Sequence, residues 1–341
     1  MISKMKPVSE GGSRLAIVFS GSPLFSGAAG SGESEIRRWI IENDWLEGIV
    51  ALPDQLFYNT GINTYFWIVT NRKTNDRQGK VALLDAREQW AKMRKSLGAK
   101  RKEITDDQIE EITRLYHDAV HLDGKDDQVK VFANSDFGYQ RITVERPMRR
   151  RWYVTDEVVS TIMVSKSFIA LPKPPKGADD PAVAVHEGER AQQRLIDVLN
   201  GLRGAPEDLE SAFEKHLGHA LGQAGLTIPA PLRKAILSAA AQPDGDAPVI
   251  TNRKGQPLPD PDLRDNENVP LTEVIEAYMA HEVIPHVPDA WVDESKTKIG
   301  YEIPLTRHFY HYVPPRLIAE IDAEIDAVET EIQQVMLGMK R

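Results

Sequence analysis

Phe57 and Tyr58 stand together between two apolar runs, LEGIVALP (46–53) and TYFWIVTN (64–71). Rings on a loop at a strand end can grip a planar base taken out of a duplex, because every base has a π-face. The alternative is core packing, since aromatic side chains ordinarily bury area. Two basic clusters could supply phosphate contacts. Lys92, Arg94, Lys95, Lys100, Arg101 and Lys102 fall within eleven residues, and Arg141, Arg146, Arg149, Arg150 and Arg151 within another eleven. A charge run can equally be a solvated face. A Gly/Ser-rich stretch, GSPLFSGAAGSGES (21–34), follows the apolar run RLAIVFS (14–20), and Asp54 lies 22 residues beyond Gly32. That spacing imitates a dinucleotide loop, but such glycines should follow the strand at once. Here Pro23, Leu24 and Phe25 intervene, so the stretch is expected to be a mobile surface loop. His117/His121 and His216/His219 are helically spaced pairs without an evident third ligand, and cysteine is absent, so no metal site is expected. HFYHY (308–312) suits an interface or a core, and no GxSxG elbow is present.

The elements that must carry these residues alternate between strand and helix. RLAIVFS is predicted as a buried strand, EIRRWIIEN (35–43) as a helix with Ile36, Trp39 and Ile40 on one face, and LEGIVALP, TYFWIVTN and VALLDA (81–86) as further strands. This predicts part of an α/β sheet. Thr105 and Gln108 form a capping box for a helix over 105–121, and residues 131–153 are expected to be extended. LPKPPKGADDP (171–181) has linker composition. Helical spacing returns at 187–222, 228–241 and 270–285, the last with Thr272 as a possible cap. In 315–337, Ile318, Ile321, Ile325, Val328, Ile332 and Val335 form a heptad seam. That seam either packs on its own domain or is offered to another subunit. The first residues, with Ile2 and Met5 before Lys6–Pro7, look like the end of an amphipathic helix, as though the chain began inside a domain.

Composition bounds the possibilities. The 341 residues are 41% hydrophobic and 27% charged, a globular composition, without an apolar run long enough for a membrane helix or a signal peptide. Absent cysteine excludes disulfides and fits a cytoplasmic protein. The net charge of −9 is unevenly spread. Residues 1–152 hold 24 basic against 21 acidic residues, whereas the remainder is strongly acidic. Only the first part could lie on a polyanion without large repulsion.

Several segments together resemble a known family. GSRLAIVFSGSPLFSG, SEIRRWIIENDWLEGIVALPDQLFYNTGINTYFWIVTNRK and GKVALLDA are similar to the distal half of the adenine-N6 DNA methylase domain in the modification subunit of type I restriction-modification systems. The similarity continues through SLGAKRKEI, DFGYQRITVERPMR and PDAWVDESKTKIGYEIPLTRHFYHYVPP, and is absent over 155–270. The resemblance implies the late strands of a Rossmann-like methyltransferase sheet, then a mainly helical region and a C-terminal coiled-coil helix. It implies methyl transfer from S-adenosylmethionine to N6 of a flipped adenine. The implied partners are DNA, a specificity subunit, a second modification subunit and a motor-nuclease subunit. By the family pattern Phe57, with Tyr58 beside it, contacts the target base. Ile321, Ile325, Val328 and Ile332 lie on the partner helix. Lys100, Arg101, Lys102, Arg141, Arg146 and Arg149 are the expected contacts to the DNA backbone.

The chain departs from that pattern in two places. The cofactor-seating Gly-rich turn and the Asn/Asp-Pro-Pro-aromatic tetrapeptide are missing. Its Pro-Pro pairs, 174–175 and 314–315, have no aromatic after them. No catalytic or cofactor-binding residue is therefore expected in this chain. The chain is expected to be the C-terminal part of a modification subunit and inactive alone. The expected division is 1–90 and 91–153 for the α/β part, the second with a basic helix and an extended segment, 154–269 for a helical region, and 270–341 for partner binding. Two other roles stay open: a helical docking module for the specificity subunit, and a free-standing nucleotide-binding enzyme using the 21–34 loop and Asp54.

Overall fold

The computed structural model describes residues 1–174, 180–312 and 314–338. The chain begins with β1 (Arg14–Phe19), α1 (Ser22–Phe25), α2 (Gly32–Glu42), β2 (Leu46–Leu52), β3 (Thr64–Thr70) and β4 (Lys80–Asp85). Next come β5 (Ala91–Leu97), β6 (Lys100–Glu103), α3 (Asp106–His117), α4 (Ala119–Leu122), β7 (Val129–Ala133), β8 (Gly138–Glu145) and β9 (Arg150–Trp152). Helices α5 (Asp156–Met163), α6 (Lys166–Ile169), α7 (Pro181–Gly201), α8 (Glu210–Gln223) and α9 (Ala230–Ala240) follow. The remaining elements are β10 (Ala241–Pro243), β11 (Asp265–Pro270), α10 (Ile275–Tyr278), β12 (Trp291–Val292), β13 (Lys298–Tyr301), α11 (Leu305–His308) and α12 (Ile318–Gly338). Two compact units result, one of residues 1–140, 270–272 and 298–341, the other of 141–269 and 273–297. No helix among the described residues is long and apolar enough to cross a membrane.

The first unit is mixed α/β. Its sheet has the order β1-β3-β2-β4-β7, with β2 and β4 parallel and the other neighbours antiparallel. Alternation along the central strands feeds two cores. Ile49, Trp67, Val69 and Leu83 face α2, whereas Val50, Ile68, Ala82 and Leu84 face Leu115 of α3 and Ala119 of α4. Coverage of both faces explains why these strands are continuously apolar. Helix α3 carries the expected capping box, with both reciprocal Thr105–Gln108 bonds made. The segment 298–309 closes the α2 side, burying Tyr301, Ile303, Leu305 and Phe309. Of HFYHY, Phe309 is therefore core, while Tyr310 and Tyr312 are exposed.

Two expectations about this unit are corrected. Strand β1 forms where predicted but is not buried: among the described residues it pairs only with β3, at the sheet edge, and leaves Val18 and Phe19 exposed. Helix α2 begins earlier than expected, capped by the Ser31 hydroxyl, and buries Ser34, Arg37, Ile40 and Ile41, while Ile36 and Trp39 face outward. The polar Arg37 sets this rotation because its guanidinium is needed inside. It donates from Nε to the Tyr301 carbonyl at 2.6 Å and from one Nη to the carbonyls of Pro23 and Ser26 at 3.1 and 2.7 Å. The glycine-rich stretch is consequently anchored, with Leu24 and Ala29 buried, in place of the expected mobile surface loop.

In the second unit, α5 to α9 surround a core that includes Leu195, Leu199, Phe213, Leu217, Leu232 and Ile236. The predicted continuous helix at 187–222 is two helices, because Pro206 lies in the break and cannot donate to a helical ladder. Helix α7 instead starts at Pro181, capped by the Asp180 carboxylate. Of the linker at 171–181, residues 175–179 lie outside the described residues. The predicted helix at 270–285 shrinks to α10 and a following π-helical turn at Met279–Val283, and Thr272 does not cap it. Strand β12 pairs with the end of β8, where the buried Glu145 carboxylate receives Arg264 and Lys296, each at 2.8 Å.

Candidate nucleic-acid interface

Parallel strands β2 and β4 are direct neighbours, with Ala51 opposite Asp85. The segments leaving their C-terminal ends therefore emerge side by side, where open α/β sheets place ligands. The first, residues 53–63, carries Phe57 and Tyr58. Phe57 is 37% and Tyr58 68% exposed, so the core-packing alternative does not hold for either ring. Their loop is shaped by Gln55 in the left-handed region and by a bridge between Phe57 and Thr60.

The basic residues at 92–102 lie on a hairpin, β5–β6, rather than on a helix. Its turn is bonded to the aromatic loop. The Ala99 amide donates to the Tyr58 carbonyl at 2.9 Å, and the Arg101 and Lys102 amides both donate to the Gln55 carbonyl, at 3.0 and 3.3 Å. The structure thus brings the Phe57–Tyr58 pair and the first basic cluster into one surface. Lys92, Arg94, Lys95 and Arg101 are exposed and Lys100 is half-buried. Lys102 is engaged: its ammonium is 2.5 Å from Asp54 and 4.0 Å above the Trp90 ring. Trp90 was not singled out by sequence reasoning, although its place beside the basic run was a usable signal.

Gly98 is the tight point of this assembly. Its φ is +62°, and a Cβ there would come within 2.5 Å of the Tyr58 carbonyl oxygen. Gly98→Ala is expected to cost about 1–3 kcal/mol through backbone strain and that clash. Denaturant titration measures the cost. An unchanged midpoint would show that the hairpin is not held against the loop.

The second basic cluster lies in the other unit and is largely neutralised. Arg146 and Arg149 approach Asp289 at 3.7 and 3.4 Å, Arg150 meets buried Asp260 at 2.9 Å, and Arg151 meets Asp208 and Asp244. Arg141 is half-buried on β8 and has no acidic partner within ion-pair distance among the described residues. The dinucleotide arrangement is not assembled either. Gly32 is inside α2, the carbonyls of Pro23 and Ser26 turn inward to Arg37, and Asp54 is held by Lys102. The residues Ile321, Ile325, Val328 and Ile332 are all exposed on α12.

Residues 2–138 match the family model described as N-6 DNA Methylase. Proteins to which the chain is similar include methylase subunits of type I restriction enzymes. The MjaIX subunit of Methanocaldococcus jannaschii is 28% identical over 127 residues, which cover 37% of this chain and 21% of that protein. The HindI subunit of Haemophilus influenzae is 38% identical over 96 residues, 28% of this chain and 20% of that protein. The matched segment thus spans about a fifth of the length of these curated relatives. The methyltransferase subunit of a type I restriction-modification system from Streptococcus thermophilus aligns at 24% identity and a TM-score of 0.30, over 36% of this chain and 24% of that one.

Proposed function

We propose that the first unit is the target-base side of an adenine-N6 DNA methyltransferase, within the modification subunit of a cytoplasmic type I restriction-modification system. The observation that carries this reading is the exposed Phe57–Tyr58 pair hydrogen-bonded, through its own loop, to a basic hairpin. The rings stack on the flipped adenine, and Lys100 and Arg101 hold the adjacent phosphates. Arg141 is a further backbone contact. Arg146 and Arg149 contribute less, because Asp289 already neutralises part of their charge. A specificity subunit reads the sequence through contacts with α12, and the assembly includes a second modification subunit and a motor-nuclease subunit.

The reaction needs S-adenosylmethionine, and the residues present do not fit it. The one glycine-rich stretch spends its carbonyls on Arg37, and no Asn/Asp-Pro-Pro-aromatic sequence occurs in the 341 residues. Methyl transfer therefore belongs to a complete sheet. Edge strand β1 supports this: Leu15, Ile17 and Phe19 border an apolar groove of about 750 Å³, next to a strand edge with no pairing partner among the described residues. A further strand would satisfy such an edge.

Calorimetric titration of S-adenosylmethionine into the folded chain is expected to give no saturable heat. Adding the N-terminal half of a type I modification subunit is expected to restore cofactor binding and methylation. One-to-one binding by this chain alone would overturn the assignment, as would a soluble, folded complex of the halves without activity.

A further inference from the structure

Leu97 is 62% exposed at the end of β5 and belongs to no apolar core among the described residues. It pairs across the hairpin with Lys100, so the two side chains share a face. Lys102 lies two residues further along β6 and therefore on that face too. Its ammonium meets Asp54, at the start of the aromatic loop, so this face is the one turned toward the segment of Phe57 and Tyr58. Only Gly98 and Ala99 separate Leu97 from Lys100. The Ala99 amide donates to the Tyr58 carbonyl, and Gly98 leaves no room for a Cβ against the same oxygen. Leu97 is thus held in a fixed place beside the aromatic pair.

The surroundings decide what covers it. The hairpin strands carry six cations, Lys92, Arg94, Lys95, Lys100, Arg101 and Lys102, against one carboxylate, Glu103. That charge calls for a polyanion, whereas the tip itself calls for an apolar surface. Duplex DNA offers both, with phosphates outside and base faces within. Leucine is among the side chains that enter between base steps, and a base taken out of the stack leaves its neighbours without contacts on one side.

We propose that Leu97 is a wedge that enters the duplex beside the flipped adenine and fills part of the space the base leaves, while Lys100 and Arg101 hold the phosphates. This rests on the target-base reading above and adds the residue that keeps the base from returning to the stack.

The test titrates the full chain with two short duplexes at one salt concentration. One is fully paired. The other carries a single abasic sugar, a preformed gap with no base for Phe57 and Tyr58 to hold. The native chain is expected to bind the abasic duplex about fivefold more tightly, because the unstacking cost is already met. Leu97→Ala should bring the two affinities within about twofold of each other, and Leu97→Met should keep the preference, since Met also serves as a wedge. Phe57→Ala should keep it as well. Because Leu97 is exposed, its variants should fold, which an unchanged urea midpoint checks. Equal affinity of the native chain for both duplexes, or a preference that survives in Leu97→Ala, would overturn the wedge. No binding of either duplex would overturn it together with the DNA-binding reading. A third duplex, with one adenine opposite the abasic sugar, separates the two assignments, because Phe57→Ala should weaken its binding. If Phe57→Ala leaves that binding unchanged while Leu97→Ala loses the abasic preference, the target-base role of Phe57 falls and the wedge stands.

Discussion

Arg37→Ala is expected to lower the stability of the first unit by about 3 kcal/mol or more, because three carbonyls lose a charged donor at once. Arg37 is 3% exposed, and its three acceptors come from the glycine-rich stretch and from the 298–309 segment, so one side chain ties together regions far apart in sequence. Burial pulls its pKa below the ordinary arginine value, the mark of a charge kept out of water for its hydrogen bonds. Arg37→Lys should recover only part of the loss, since a single ammonium cannot reproduce the planar fork. Urea denaturation followed by tryptophan fluorescence reads this directly. A loss below about 1 kcal/mol for the alanine variant would mean that water replaces the guanidinium and that the anchoring role is wrong.

Neutralising Lys100 and Arg101 together, to Gln, is expected to weaken binding of a short DNA duplex by about tenfold to a hundredfold at low salt, whatever its sequence. Each phosphate contact contributes about 0.9 to the slope of log affinity against log salt, so that slope should fall by about 2. Lys102→Gln is expected to behave differently. Its charge is already shared with Asp54 and Trp90, so it should loosen the hairpin more than it changes the salt slope. Anisotropy titrations across a salt series separate the two behaviours. An unchanged slope in the double variant, or a loss confined to one DNA sequence, would contradict phosphate contact by this hairpin.

The elements were more legible than their surroundings. Strands β2, β3 and β4 and helix α3 follow from apolar runs and a capping box, because local patterns report backbone geometry. Strand β1 has the same apolar look yet lies at an edge, and α2 turns a face inward that the apolar spacing did not indicate. Burial depends on neighbours, and the neighbour that rotates α2 is a pair of chain segments receiving an arginine. The hairpin β5–β6 escaped prediction because its residues are mostly charged and polar, without the alternation that marks a half-buried strand.

Local signals were legible in the chain: an aromatic pair between strands, basic clusters confined to the first half, a terminal heptad seam and a resemblance to a methylase family. Residue type and spacing are local properties, and these features need nothing else. Which residues share a surface follows from the folded contacts. Phe57 and Tyr58 meet Lys100 and Arg101 because the Gln55 and Tyr58 carbonyls accept amides from a hairpin some forty residues away. Arg146 and Arg149 are drawn instead to Asp289. Charge is written in the chain, but whether it is neutralised depends on what folding places within a few ångströms of it.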